Sequence, residues 1–321
     1  MDSIERIPPS LESITRPTRD VLRSAKTLGI RQARYLVDSY YQIQELRKAT
    51  ANQAGAMERA EDRGHDEEPH DTLDWLIKQT SVMETQLARS FEHYANASDP
   101  GLWMMSIHGI GPVLAANFLA RLSVRPWHCV NPAVLKRREV GEEMILPCPP
   151  DKPCVDGCGY RIVETAGGFW RFAGLDPTMV WKEKELRPWN AKVKTLCWKA
   201  SDSWVKLKNN PLSFYSRLYV SQKERQIAKN EAGDYAEQAA AGAKRVGKST
   251  IAYKSYSIGK LPAGHIDRRA RRYAVKIFLS HLHEVMYEDE FGCKPPKPFA
   301  IEHLGHAHKI EVPGWPLRSL E

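Results

Sequence analysis

No run of this sequence approaches twenty consecutive apolar residues, so no segment is expected to span a membrane. The opening MDSIERIPPSLESITRP lacks the apolar core of a secretory signal, and a cytoplasmic protein is expected. Cysteine is scarce: six residues in 321, four of them within positions 129–158. In a reducing compartment such a cluster points to metal more than to disulfides. Acid is the minority charge, with 39 Asp plus Glu against 47 Lys plus Arg. The resulting formal +8 favours a polyanionic partner. The hydrophobic fraction of 42% is ordinary, and the length is enough to bury a core and to hold two or three modules.

What is present includes one stretch that invites a specific reading. AGAKRVGKST contains GxxxxGK[ST], from Gly242 through Gly247, Lys248 and Ser249. That pattern cradles phosphates only where a buried strand delivers the loop and a helix follows it. Upstream, EAGDYAEQAAAGAK favours helix and has no Val/Ile/Leu run; downstream, STIAYKSYSIGKLPAG argues against a long helix. No apolar strand ends in an Asp to hold magnesium. No nucleotide cofactor is therefore expected, and the stretch reads as a basic loop between helices.

The chain as a whole reads as mainly α, in four regions: 1–99, an N-terminal helical region; 100–128, a helix-hairpin-helix element; 129–163, a Cys-rich insertion; and 164–321, C-terminal helices. Residues 19–61 read as helix with a break at Gly29. DTLDWLIKQTSVMETQLARSFEHYA follows an acidic link, with Leu73, Leu76, Ile77, Met83, Leu87 and Phe91 close to a 3.6 period. Two long helices joined by a polar link suggest an antiparallel hairpin, a scaffold or an arm for homo-oligomerisation.

GLWMMSIHGIGPVLAANFLARL is the most informative run. A short apolar helix meets the turn His108-Gly109-Ile110-Gly111, and Pro112 opens a second helix with Leu114, Phe118 and Leu122 on one face. Two glycines let the backbone turn tightly, and free amides at the next helix N-terminus can donate to phosphate oxygens. His108, Gly109 and Gly111 are thus candidate nucleic-acid contacts; an ordinary helical hairpin is the alternative.

The segment 129–158 changes to prolines, glycines and cysteines. Cys129, Cys148, Cys154 and Cys158 are candidate ligands of a structural zinc, with His128 an alternative to Cys129. Their spacing departs from paired CxxC, so an iron-sulfur cluster and free thiols stay open. Further on, Trp189, Val193, Leu196, Ala200 and Trp204 share a helix face and read as packing, with Lys192, Lys194, Lys199 and Lys206 partly off it. PLSFYSRLYVSQKERQIAKNEAGDYAEQAAAG reads as one long helix. Residues 241–276 then hold ten basic residues against one acid, Asp267. Within them, Lys244, Arg245 and Lys248 read as a basic loop. Arg268, Arg269, Arg272 and Lys276 form a basic face opposite a stripe of Ala270, Ala274, Ile277, Phe278, His281 and Val285. The hairpin, the loop and this face are expected to follow one phosphate track.

The order SIHGIGPVLAANFLARL, FWRFAGLDP, RPWNAKVKTLCWKA, NPLSFYSRLY, RRARRYAVKIFLSHLHEV resembles the C-terminal transposase domain of bacterial DEDD-type insertion-sequence transposases. The resemblance covers the last two thirds of the chain. It implies a bacterial or phage-encoded protein acting on DNA in transposition or recombination, with DNA or structured RNA as partner. Two parts of that family's apparatus are missing. Residues 1–100 hold no strand bearing the RuvC-like carboxylates, and the interval after AGLDP reads TMVWKEKELRPWN, with Thr178 its only hydroxyl and no nucleophilic serine. A catalytically reduced relative is expected. The alternatives are an active recombinase using Thr178, Ser201 or Ser203, a helix-hairpin-helix repair enzyme with an iron-sulfur cluster, and a metal site among His281, His283, His303, His306 and His308.

Overall fold

A computed structural model describes residues 16–61, 70–125, 163–296 and 309–317. Those residues form eleven α-helices, with no strand among them. Thr18 caps α1, Arg19–Ser24, and a 3-10 turn, Ala25–Thr27, leads into the break at Gly29. Beyond it α2, Ile30–Glu61, runs for 32 residues. In α3, Asp71–Ala95, the His70 ring accepts from the Thr72 amide, and Asp71 and Asp74 in the first turn oppose the positive end of the helix dipole.

The pair is antiparallel, because the order of its contacts reverses along the chain. Tyr40 of α2 meets Phe91 edge-on at 6.0 Å, and further along α2 Arg47 Nε donates to Glu84 Oε1 at 2.5 Å. Of the six apolar α3 positions in the expected stripe only Phe91 is fully buried; Thr80, Glu84 and Gln86 fill the rest of the face instead. Glu84 is tolerable there because Arg47 and Gln44 bond it.

Ser98 caps α4, Asp99–Ser106, and Pro112 opens α5, Pro112–Arg121. Val37, Phe91 and Ala116 form a small cluster that fastens α2 and α3 to α5. Past residue 163 come α6, Ala166–Phe172, and α7, Ala191–Lys206, which is capped by Asn190. Four more helices follow: α8, Phe214–Glu231; α9, Ala236–Ala243; α10, Ile251–Tyr256; and α11, Ala263–Phe291. The single helix expected from PLSFYSRLYV to QAAAG is in fact α8 and α9. Gly233, at φ +87°, takes the chain out of helix, and the Asp234 amide closes back on the Lys229 carbonyl at 3.1 Å.

One core draws on residues from Ala95 to Val312. Its centre is Phe278 of α11, ringed by Phe118, Trp204, Tyr215 and Trp103 at centroid distances of 5.1, 5.4, 5.4 and 5.9 Å. The segment 309–317 closes over α4 and α11. Trp103 Nε1 donates to the Pro313 carbonyl at 2.9 Å, Lys309 pairs with Glu284 at 2.6 Å, and Trp315 Nε1 donates to Glu288 at 2.8 Å.

His281 ties the same segment down. Its Nε2–H donates to the Ile310 carbonyl at 2.8 Å, which leaves Nδ1 to accept from the buried Tyr215 hydroxyl at 2.8 Å. Burial lowers its pKa from 6.5 to about 4. As pH falls between those values the unfolded chain binds a proton that the folded chain refuses, so stability is lost on acidification and regained on return to neutral pH. The expected contribution is on the order of 3 kcal/mol. Denaturant midpoints of wild type and His281→Gln measured across that range should converge as pH drops; parallel curves would contradict it.

No helix among the described residues is long and apolar enough to cross a membrane.

Candidate nucleic-acid interface

The arginines of α11 divide by the face they occupy. Arg271 turns inward, its Nε donating to Asp267 at 2.7 Å and its Nη1 to Asp202 at 3.2 Å, so its charge is neutralised. Arg269 lies over the Tyr235 ring at 4.6 Å and donates to Gln226 at 2.6 Å and Gln238 at 3.1 Å. It bridges α11 to α8 and α9 instead of reaching into solvent, yet keeps its charge. Arg268 and Arg272 are exposed, and half-buried Lys276 sits 3.9 Å over the Trp170 ring.

Two further cations join them from other elements. Lys194, on the first turns of α7, rides 4.1 Å over Trp189, and Arg187 lies 5.8 Å from the centroid of Trp181. Trp189 is set by close packing against Gly174, where a Cβ would come within 2.7 Å of the indole. The Trp170 indole is fixed from the other side, donating to the Lys276 carbonyl at 2.9 Å.

The charges act on one another. Burial is the largest influence lowering the Lys194 pKa, followed by Arg272 and Arg187. Burial likewise leads in lowering Arg272, with Arg269 and Arg268 adding to it. Lys276 is lowered by burial and by Arg272, against a pull upward from Asp176. His265 is lowered by burial and then by Arg269, Arg272 and Arg268. Among the described residues, every charge acting on these four groups apart from Asp176 is a cation. A surface that holds cations against mutual repulsion stabilises an incoming polyanion more than isolated lysines would.

The hairpin sits elsewhere. His108 and Gly111 are exposed and Gly109 is half-buried. Gly109 adopts φ +95°, and a Cβ there would meet Trp204 Cδ1 at 3.0 Å and Leu207 Cδ1 at 3.2 Å, so glycine is required both by conformation and by space. Gly111 begins α5 with no side-chain cap, and nothing lies within 4 Å of where its Cβ would be. The turn therefore rests on the end of α7, while the cation cluster meets its start at Lys194. Ten residues of helix separate Trp204 from Lys194, about 15 Å of rise. The hairpin turn and the cation cluster thus lie toward opposite ends of α7.

Lys244, Arg245 and Lys248 are exposed on the turn between α9 and α10. Helix precedes the GxxxxGK[ST] stretch, and Gly242 is packed under the Tyr256 ring within that helix. Tyr235 of the same small cluster lies beneath Arg269, so this loop belongs to the cation-bearing end of α11. Lys260 is taken up in an ion pair with Glu231.

The candidate hydroxyls are engaged. Ser201 is buried and donates to the Trp198 carbonyl at 2.7 Å, and Ser203 donates to Lys199 at 3.3 Å. Thr178 is exposed and donates to Asp176 at 2.7 Å. That bond, together with one from the Thr178 amide, holds the Asp176 carboxyl below its usual range, which makes it a poor base. His283 bonds the Val163 carbonyl at 2.6 Å and, like His281, is a packed core residue. Among the described residues no three His, Cys, Asp or Glu side chains are grouped to hold a metal. Cys129, Cys148, Cys154, Cys158, His128, His303, His306 and His308 lie outside the described residues.

Neither a family model, a curated protein nor a solved structure matches the chain. Arg187, Trp170 and Trp181 were not among the expected site residues. Nothing in the spacing of WRFAGLDPTMVWKEKELRPWN indicates that Trp170 meets Lys276 of a distant helix; only the unusual density of tryptophan beside basic residues was available as a signal.

Proposed function

We propose that the protein binds nucleic acid, DNA or structured RNA, through the cations of α11, α7 and the segment before α7. The observation that carries this reading is the grouping of Arg187, Lys194 and Lys276, each over a tryptophan ring, with exposed Arg268 and Arg272, and with Asp176 the acid that acts on Lys276. Cations set on aromatic faces lose little entropy on meeting a phosphate, and among the described residues none of the five is held in an ion pair. The loop bearing Lys244, Arg245 and Lys248 extends the surface. The uncapped start of α5 supports a second, separate phosphate contact. On this reading the protein is a cytoplasmic, bacterial or phage-encoded relative of the insertion-sequence transposases that grips the polynucleotide and leaves strand chemistry to another component. The engaged state of Thr178, Ser201 and Ser203 supports that restriction. Exposed Tyr35 and Leu46 on α2, with Trp75 on α3, support self-association through the N-terminal pair.

The test is binding of a labelled duplex measured by anisotropy across salt concentrations. Log affinity is expected to fall linearly with log salt, with a slope of roughly −4 or steeper for five or more phosphate contacts, and with little sequence preference. Absence of binding at low salt would remove the reading.

A further inference from the structure

We propose that residues 178–187 form a stacking lip for unpaired bases, so that the preferred ligand is a single strand or an unpaired segment and not an uninterrupted duplex. The inference rests on the nucleic-acid reading above. Three large apolar side chains are exposed within seven residues: Val180 at 82%, Trp181 at 37% and Leu186 at 97%. Exposure of this density is a liability in water unless something covers it.

The lip is built, not slack. Asp176 opens it by accepting from the Thr178 amide at 2.9 Å, and the Asn190 amide closes it on the Phe172 carbonyl at 2.9 Å. Within it Trp181 Nε1 donates to the Glu185 carbonyl at 2.9 Å, and the Trp181 ring meets Trp189 edge-on at 5.9 Å. The indole is thus held by its N–H and by its T-shaped contact with Trp189, and it stays 37% exposed with Arg187 near one face. Its donor is used up, so it has nothing with which to read the edge of a paired base; what it offers is ring surface, and stacking is sequence-tolerant for that reason.

Charge is arranged to match. At the tip Lys182 and Lys184 alternate with Glu183 and Glu185, a locally neutral strip suited to bases. Cation excess begins at Arg187 beside Trp181 and continues through Lys194 and Arg272 to Lys276, where phosphates would run. In a duplex the base faces are already stacked on each other and out of reach of this ring. In a single strand they are free, and a neutral apolar lip beside a cationic track takes bases and backbone at once.

The experiment compares a labelled oligothymidylate with a labelled duplex of equal length, at low salt, on wild type, Trp181→Ala, Trp181→Phe and Leu186→Ser, with thermal melts to verify folding. Trp181→Ala is expected to weaken single-strand binding roughly tenfold and duplex binding only about twofold, since the duplex loses no more than the support of Arg187. Trp181→Phe, which keeps a ring and loses the indole N–H, should retain most of the single-strand affinity. Should Trp181→Ala melt early, Leu186→Ser carries the same comparison, because Leu186 is almost wholly exposed. Equal loss on both ligands, loss on neither, or a Trp181→Phe defect as large as that of Trp181→Ala overturns the lip while leaving nucleic-acid binding in place. A wild type that binds neither ligand fails the underlying reading instead. A wild-type dimer in sedimentation that Leu186→Ser dissolves would also overturn the lip, assigning it to a second copy of the chain.

Discussion

Replacing Lys194, Arg272 and Lys276 together with alanine is expected to weaken duplex binding roughly a hundredfold at low salt and to flatten the salt dependence by about three in slope. The three are chosen because they come from two helices, influence one another's ionisation, and lack ion-pair partners among the described residues. Their removal takes away repulsion along with the cation–aromatic contacts of Lys194 and Lys276, so the variant should unfold near the wild-type denaturant midpoint. A large loss of stability alongside the lost affinity would mean that the cluster is structural. The matching triple Lys244→Ala, Arg245→Ala, Lys248→Ala tests the loop between α9 and α10. A smaller loss there, with a slope change of its own, would place that loop at the margin of the contact.

The largest effect on folding is expected from Phe278→Ala, on the order of 3–5 kcal/mol in denaturant unfolding. Four aromatic rings surround that side chain, from α4, α5, α7 and α8, and none of them can collapse into the space without releasing a contact of its own. Trp204 makes the hole harder to fill, since its ring also supports the Gly109 turn. A cost below about 1 kcal/mol would show that the rings repack freely, contrary to the density typical of protein interiors.

These two expectations draw on features of unequal legibility in the sequence. The helical character and many of the boundaries were readable. Pro112 and the two glycines mark the α4–α5 turn, and the spacing of Val193, Leu196, Ala200 and Trp204 marks the buried face of α7, although Trp189, expected on the same face, precedes the helix. In the stripe of α11, Ala270, Ala274, Phe278, His281 and Val285 are buried as the period implies, while Ile277 is half-buried. The α8–α9 break was missed because alanine-rich flanks outweighed Gly233, whose positive φ only the folded chain displays. In α3 the expected apolar stripe is partly replaced by Thr80, Glu84 and Gln86. Helix period alone cannot say that an arginine 37 residues away will neutralise a carboxylate.

The candidate surface was less legible. RRARR reads as a uniform basic run, yet Arg271 is neutralised by Asp202 and Asp267 and Arg269 is bonded to two glutamines. Lys194 joins the cluster through the crossing of α7 and α11, and Arg187 through the path of the segment before α7. Neither relation has a sequence period. A count of charge along a chain therefore measures how much is present, while packing decides which of it faces outward.

The closure of residues 309–317 over α4 and α11 bears on how the molecule can be divided. Trp103, His281, Glu284 and Glu288 each take a partner from that short stretch. A fragment cut after Phe291 would keep every helix among the described residues and still open the base of the aromatic cluster to water, stripping the Trp103 indole and the His281 ring of their acceptors. The last helix is thus not the last structural requirement, and a minimal folding unit has to run through Leu317.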